Sequence, residues 1–200
     1  MAVEKQNKNG RLKLKQDLAK GSFETLYILY GEEAYLREYY LRQLRKKVVD
    51  ETFADFNLIE LDGKTLTLES LTEAVDSYPA MSERKLVIVT DFNIYAPPAS
   101  FGDQLIDLLS DLPDYVCLVF YFDILEAKPD KRTKMYKLLE KKACTAEFAR
   151  LEEKELIERL ERRARELNCI ISDEDAAYMI FLCGTSLTNL MGEILSLIHI

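Results

Sequence analysis

Short apolar runs alternate with longer mixed segments over most of this chain. Five such runs cover residues 26–30, 57–61, 85–90, 115–122 and 145–149. Each is rich in β-branched or aromatic residues or is bounded by turn formers, which favours β-strands. The third and fourth runs are almost continuously apolar. That pattern is typical of strands covered on both faces, as in a parallel sheet.

The segments between the runs carry apolar residues near helical spacing, beginning with residues 32–49. Thr67 is a candidate N-cap for a second helix, and Pro113 ends a third. A fourth helix is predicted over 131–142, with Asp130 as its N-cap. Strand–helix alternation of this kind predicts an α/β domain with right-handed crossover connections.

From about residue 150 the pattern changes to helix alone. Residues 152–167 set an apolar face opposite Glu–Arg pairs at i,i+4 spacing, each of which adds ~0.2–0.5 kcal/mol to a helix. Ser172 begins a second helix that ends at Gly184, and a third carries leucines along one side. Amphipathic helices this short must pack on one another. The chain is therefore divided into an α/β domain, residues 1–150, and a small three-helix domain, residues 151–200.

The region before the first run is basic and polar between residues 5 and 15, which is typical of a solvated leader. Three leucines, Leu12, Leu14 and Leu18, are nevertheless spaced to pack a short helix before the sheet begins. The start of the chain has no apolar signal core, and no run approaches the ~20 apolar residues of a membrane span. A cytoplasmic protein with no membrane contact is expected.

Composition and charge limit the kinds of site that the chain can form. Of the 200 residues, 48% are hydrophobic and 31% charged, as in soluble globular proteins. The net charge of −8 argues against a nucleic-acid grip over the whole surface, although it leaves room for a local basic patch. The four cysteines form no CxxC pair and the lone histidine is His199, so structural thiols are expected and a zinc site is not.

The first run and the residues after it, Leu-Tyr-Ile-Leu-Tyr-Gly-Glu-Glu, place a strand, a glycine and a helix start in succession. Nucleotide-binding α/β proteins hold phosphates at such a junction with the motif Gly-x-x-x-x-Gly-Lys-Ser/Thr. Here Gly31 is followed by Glu32 and Glu33, with no second glycine, lysine or Ser/Thr. Carboxylates suit a helix N-terminus and repel a polyphosphate. We therefore predict a degenerate P-loop without a nucleotide cofactor; an ATPase or kinase with a degenerate loop is the alternative.

Two acids, Asp91 and Asp123, end the third and fourth runs. Asp91 stands where a P-loop ATPase carries its magnesium-binding aspartate, but a turn-forming acid at a strand end is the favoured interpretation of both. The sequence has no histidine near a serine or cysteine, and neither a GxSxG nor an HExxH motif. No catalytic or metal-binding residue is predicted.

Four basic residues, Arg42, Arg45, Lys46 and Lys47, lie near the end of the first long helix. Cations there complement the helix dipole, and a solvated helix end is the simple interpretation. The alternative is a DNA-binding scaffold that contacts the phosphate backbone and whose affinity would depend strongly on salt.

Several segments together resemble a known family. They are residues 27–33 with Leu36 after them, Ser-Glu-Arg-Lys-Leu-Val-Ile-Val at 82–89, Asp-Lys-Arg-Thr-Lys-Met-Tyr-Lys at 130–137, and 184–187 with Glu193 and Ile194. In order and spacing they are similar to the delta subunit of the bacterial DNA polymerase III clamp loader. The resemblance implies an AAA+-like fold: a five-stranded parallel sheet in the order 5-1-4-3-2 with helices on both faces, then a three-helix lid. It also implies a lost ATP site.

The resemblance further implies a task. Such a subunit is not an enzyme by itself; it binds the sliding clamp, or beta subunit, and opens the ring for loading on primed DNA. Its other partners are the ATPase (gamma/tau) and delta-prime subunits. The family also has a C-terminal collar domain, so we expect a chain truncated before it.

The family's clamp contact is a pair of large apolar residues at the end of the helix before the third strand. Carried over, that position falls on Ala80 and Met81. Methionine adapts to irregular pockets, which suits the role. Ala80 is smaller than the family usually has, so Tyr78 and Pro79 are included in the predicted clamp-binding set. The alternative is that Met81 simply caps the domain core.

Overall fold

The computed structural model describes the backbone of residues 2–127 and 129–198. Within that range the chain divides into two compact units. The sheet unit runs to Gly31 and continues from Arg37 to Phe148; the helical unit comprises Glu32–Leu36 and the chain from Ala149 onward.

The sheet unit is built on five parallel strands: β1 (Leu26–Tyr30), β2 (Leu58–Asp62), β3 (Lys85–Thr90), β4 (Val116–Tyr121) and β5 (Cys144–Glu147). Their order across the sheet is β2-β3-β4-β1-β5, and every neighbouring pair is parallel. This confirms the predicted sheet and strand order. All residues of β1 and β4 are buried, which agrees with their apolar runs and their interior positions.

Helices connect the strands: α1 (Ala2–Lys20), α2 (Ala34–Val48), α3 (Ala54–Asn57, after a short 3-10 turn at Glu51–Phe53), α4 (Leu68–Asp76), α5 (Gly102–Ser110) and α6 (Lys134–Lys142). Alternate residues of β1 face opposite sides of the sheet. Leu26 and Ile28 join a cluster with α4, α5 and α6. On the other face the hydroxyl of the buried Tyr27 donates to Asp17 of α1 at 2.9 Å. Helices thus cover both faces, as predicted.

The helix caps confirm one prediction and correct another. Thr67 caps α4: its hydroxyl accepts from the N–H of Ser70 at 3.1 Å, within a full capping box. Asp130 does not cap α6; Thr133 does, accepting from the N–H of Tyr136 at 3.1 Å. The Asp130 carboxylate instead accepts from the backbone and the guanidinium of Arg132, which forms a turn before the helix.

Residues 5–15 belong to α1, a single 19-residue helix that is longer than the short helix expected around Leu12, Leu14 and Leu18. Its buried leucines are Leu14 and Leu18, whereas Leu12 is half exposed. Gly10 lies so close to β5 that a Cβ there would stand 1.8 Å from the carbonyl oxygen of Thr145. The helix therefore packs on the edge strand of the sheet.

The helical unit contains α7 (Glu153–Glu166), α8 (Asp173–Cys183) and α9 (Leu187–Ile198), each with a buried apolar face. Ser172 caps α8 by accepting from the N–H of Asp175 at 3.1 Å, and Gly184 ends it with φ +79°. On the surface of α7, Glu161 and Arg165 form the expected i,i+4 pair at 3.5 Å. Within the described residues no single helix is long and apolar enough to cross a membrane; only α8 and α9 taken together reach that length and composition, with a 117° bend between them.

Candidate functional site

Gly31 lies where the backbone after β5 approaches the end of β1. Its φ is +124°, a region that L side chains rarely adopt, and a Cβ would stand 2.4 Å from the carbonyl oxygen of Phe148. At the same place the N–H of Phe148 donates to the carbonyl of Tyr30 at 2.7 Å. The glycine lets the backbone after β5 close against the end of β1.

Arg37 lies at the carboxyl ends of β1 and β4, where this type of fold places phosphates. Its guanidinium donates to the carbonyl of Gly31 and, at 3.1 Å, to the carbonyl of Asp123. It also lies 3.7 Å from the Asp123 carboxylate and 5.8 Å from the ring centroid of Tyr121. The side chain is buried. An internal cation thus bridges the two strand ends, a role that the sequence did not reveal because it shows only an arginine six residues after the glycine.

The two carboxylates after Gly31 precede the first turn of α2, as predicted. Glu32 is exposed and lies 2.8 Å from the guanidinium of Arg150, a surface pair worth ~0–1 kcal/mol. Glu33 is buried. Neither residue supplies the backbone cradle or the cation that a nucleotide phosphate requires. The assignment of Gly31, Glu32 and Glu33 as a degenerate P-loop stays a prediction.

Of the two strand-end acids, Asp91 is a turn former, as the favoured interpretation predicted, whereas the Asp123 carboxylate lies 3.7 Å from the Arg37 guanidinium. Asp91 has φ +56°, and its carboxylate accepts from the N–H groups of Asp123 at 2.8 Å, Ile124 at 3.0 Å and Leu125 at 3.0 Å. Its oxygens therefore hold the turn after β4. Across the described ranges, no group of three or more His, Cys, Asp or Glu side chains is arranged to hold a metal ion.

All four cysteines are free thiols. Burial raises the pKa of the Cys117 and Cys144 thiols to about 12. Thiols with such values are not nucleophiles near neutral pH, because the reactive form is the thiolate. A structural role for these two agrees with the sequence-based expectation.

The predicted clamp-binding residues lie together on the connection between α4 and β3, residues 77–84, which we call the docking loop. Tyr78 and Met81 are 83% and 86% exposed, and Pro79 and Ala80 are partly buried. The alternative that Met81 caps the core is therefore wrong. Met81 also has φ +52°, and a non-glycine residue held in that region costs ~1–3 kcal/mol.

Buried polar side chains hold this loop. Asn57 is fully buried at the end of α3; its Oδ1 accepts from the N–H of Ala80 at 2.8 Å, and its Nδ2 donates to the carbonyl of Ala80 at 2.8 Å. Nδ2 also lies 3.0 Å from the hydroxyl of Ser82. Lys85, 1% exposed, donates to the carbonyl of Ser77 and, at 2.8 Å, to its hydroxyl. The sequence pointed to neither, since Asn57 and Lys85 each appeared only as the first residue of an expected strand.

The basic residues of α2 divide into two groups. Arg42 pairs with Glu38 at 2.8 Å on the helix surface, and Arg45 pairs with Glu60 of β2. Lys46 and Lys47 are exposed. These last two line a groove of about 450 Å³ whose wall includes Met81 and Arg84. The DNA contact considered for these four residues stays a prediction.

Comparison with known proteins agrees with this picture. A family model described as "DNA polymerase III, delta subunit" matches residues 27–149. The DNA polymerase III subunit delta of Bacillus subtilis (strain 168) is 29% identical over 184 residues, which is 90% of this chain and 53% of that protein. The chain thus spans about half the length of this curated relative.

Solved structures give the same result for the fold. The Bacillus subtilis DNA clamp loader delta protein aligns with a TM-score of 0.75 and 27% identity, over 93% of this chain and 56% of that one. The Thermotoga maritima RuvB Holliday junction branch migration motor aligns with a TM-score of 0.51 and 14% identity, over 96% and 60% of the two chains. The second match shows the fold alone, which is AAA+-like, as predicted. Because the family model covers more than half of the chain, the chain belongs to the DNA polymerase III delta subunit family.

Proposed function

We propose that this chain binds the sliding clamp through Tyr78, Pro79, Ala80 and Met81 and holds its ring open for loading on primed DNA during replication in the cytoplasm. The observation that carries the proposal is the exposure of Tyr78 and Met81 on a loop whose backbone is anchored to buried side chains. Single exposed apolar residues are common on protein surfaces. Two of them on one anchored loop, at the position the family uses, form a small hot spot with a polar rim.

The proposal assigns a role to each unit. The sheet unit is the AAA+-like, clamp-contacting domain, and the helical unit is the three-helix lid. Arg37 bridges the strand ends that hold phosphates in related folds. ATP-dependent control of the clamp contact is therefore assigned to the other partners, the ATPase (gamma/tau) and delta-prime subunits, and this chain contributes no catalytic residue.

The Met81→Ala variant tests the proposal. Burying one methionine contributes ~1.5–3 kcal/mol, and ~1.4 kcal/mol is tenfold in affinity, so clamp binding should weaken about ten- to a hundredfold. The melting temperature should not change, because the side chain is 86% exposed. Binding is measured by surface plasmon resonance on an immobilised sliding clamp.

Ile124→Ala is the matched control, since Ile124 is 81% exposed in the same unit but lies outside the docking loop. Unchanged clamp affinity for Met81→Ala, or equal losses for both variants, would exclude Met81 as the contact. A large drop in the melting temperature of Met81→Ala would also count against it, because the residue would then support the fold.

A further inference from the structure

The docking loop has an unusual support for a surface segment. The Asn57 side chain makes hydrogen bonds to the residues on both sides of Met81, namely Ala80 and Ser82. With Ala80 it bonds both backbone groups, as a neighbouring strand would. Asn57 is 0% exposed, so its bonds to the loop are shielded from competing water.

The residue between those bonds is strained. Met81 adopts φ +52°, which a β-carbon disfavours, and such residues persist only where the surroundings fix them. Asn57 supplies that constraint from underneath, while the methionine side chain points away from the core and is 86% exposed. The strained backbone thus coincides with an exposed apolar side chain.

A second anchor holds the start of the loop. The Lys85 ammonium donates to the carbonyl and hydroxyl of Ser77 and lies 5.6 Å from the ring centroid of Tyr115. Tyr115 in turn donates from its hydroxyl to the carbonyl of Asp76 at 3.0 Å and packs on Tyr78, with ring centroids 5.1 Å apart. Tyr78 is thereby held beside the same support.

We infer that Asn57 and Lys85 are positioning residues for clamp binding, which fix the docking loop in its binding conformation before the clamp arrives. The inference rests on the proposed function, because it needs Met81 and Tyr78 to be the contact. Neither positioning side chain touches the clamp: Asn57 and Lys85 are 0% and 1% exposed. They act by reducing the conformational entropy that a flexible loop would lose when it becomes ordered on binding.

A double-mutant cycle in the full chain tests this. Asn57→Ala should weaken clamp binding about tenfold in the Met81-containing chain, and less than about twofold in the Met81→Ala background. A residue that acts only through overall stability would give the same fold-change in both backgrounds. Amide exchange of Ala80, whose N–H donates to Asn57, gives a readout without the clamp: it should become faster in Asn57→Ala, while amides of β4 keep their protection.

Ser82→Ala is the milder variant in case Asn57→Ala fails to fold. It removes a single bond, Asn57 Nδ2 to the Ser82 hydroxyl, and keeps both bonds to Ala80. Clamp affinity should fall about two- to fivefold. Full affinity in Ser82→Ala together with an unfolded Asn57→Ala would overturn the inference.

The remaining outcomes separate the two proposals. If Met81→Ala weakens binding but Asn57→Ala does not, or if their effects multiply, the positioning role is overturned and the clamp contact stands. If Met81→Ala leaves binding unchanged, the clamp contact itself is overturned, and the inference falls with it.

Discussion

Two connections in the sheet unit, the one after β1 and the docking loop before β3, differ in the side chains that they expose to a partner. After the end of β1, the Arg37 guanidinium donates hydrogen bonds to carbonyl groups of its own chain and lies over the ring of Tyr121. In the docking loop the polar groups are also bonded internally, through Asn57 and Lys85, but the side chains of Tyr78 and Met81 remain in solvent. In the first connection the buried side chain binds the chain's own backbone, whereas the second exposes apolar side chains on an anchored backbone.

In both connections a buried polar side chain forms hydrogen bonds within the chain, but the surface that is left differs. The Arg37 guanidinium directs its two terminal nitrogens at backbone carbonyls of its own chain, where a phosphate-binding site would direct donors at a ligand. The Asn57 amide also contacts its own backbone, but under the proposed function it supports binding, because the proposed contact residues are its exposed apolar neighbours. The predictions below change one connection at a time and compare it with a similar position elsewhere.

The largest effect is expected from Gly31→Ala. Its β-carbon would stand 2.4 Å from the Phe148 carbonyl, in addition to φ +124°, so we expect a loss of about 3 kcal/mol or more in the free energy of unfolding. Gly21→Ala is the control, because φ is +70° there with nothing within 4 Å of the added atom; it should lose about 1 kcal/mol. Urea denaturation measures both. Equal losses would show that the close approach to Phe148 is not what requires the glycine.

Arg37→Leu should destabilise the chain by about 2–3 kcal/mol, because it leaves the Gly31 and Asp123 carbonyls without their donor. Arg42→Leu, on the same helix, removes only an exposed pair with Glu38 and should change stability by less than about 0.5 kcal/mol. The same urea titrations decide the point. A stable Arg37→Leu chain would mean that the guanidinium is not a structural bridge.

Lys85 gives a pH-dependent test of the docking-loop support. Burial lowers its pKa from 10.5 to about 8, although Asp76 acts in the opposite direction. Between those values the folded chain binds fewer protons than the unfolded chain, so stability rises with pH. Relative to Lys85→Met, the free energy of unfolding of the wild type should increase by ~1–2 kcal/mol from pH 7 to pH 9.5, the lower figure allowing for solvent screening of the ammonium.

Measuring the difference between the two chains removes the contribution of tyrosines that titrate at higher pH, because both chains share them. Thermal denaturation at a series of pH values is sufficient. If the difference in unfolding free energy between the two chains stays constant or falls as the pH rises, the Ser77 oxygens and the Tyr115 ring stabilise the ammonium form enough to offset its burial.

The apolar runs predicted the five strands, because each buried strand is itself a local apolar pattern, whereas the order of the strands came from the family resemblance. Residues with long-range roles were missed, since nothing in the sequence near Asn57 shows that its amide meets Ala80, 23 positions away. Arg37 was missed for the same reason: one of its partners, Asp123, lies 86 positions away. Asp130 was given the cap that belongs to Thr133, because both residues can accept from a backbone N–H and only the turn geometry distinguishes them. The candidate contact at Met81 came from family resemblance, and exposure could be read only from the structure.

The smallest expected effect is the absence of nucleotide binding. Isothermal calorimetry with Mg-ATP should show no heat of binding, because the segment after Gly31 carries Glu32 and Glu33 in place of a phosphate-binding lysine and a magnesium-binding Ser/Thr. Arg37→Leu sharpens the test. If the Arg37 guanidinium were the only group that blocks a phosphate-binding site, its removal would create measurable ATP affinity. We expect no such affinity, because the carboxylates at the start of α2 remain and repel a polyphosphate. A micromolar dissociation constant for the unmodified chain would refute the predicted absence of nucleotide binding. Binding by Arg37→Leu alone would show that Arg37, and not the pair of carboxylates, blocks the site.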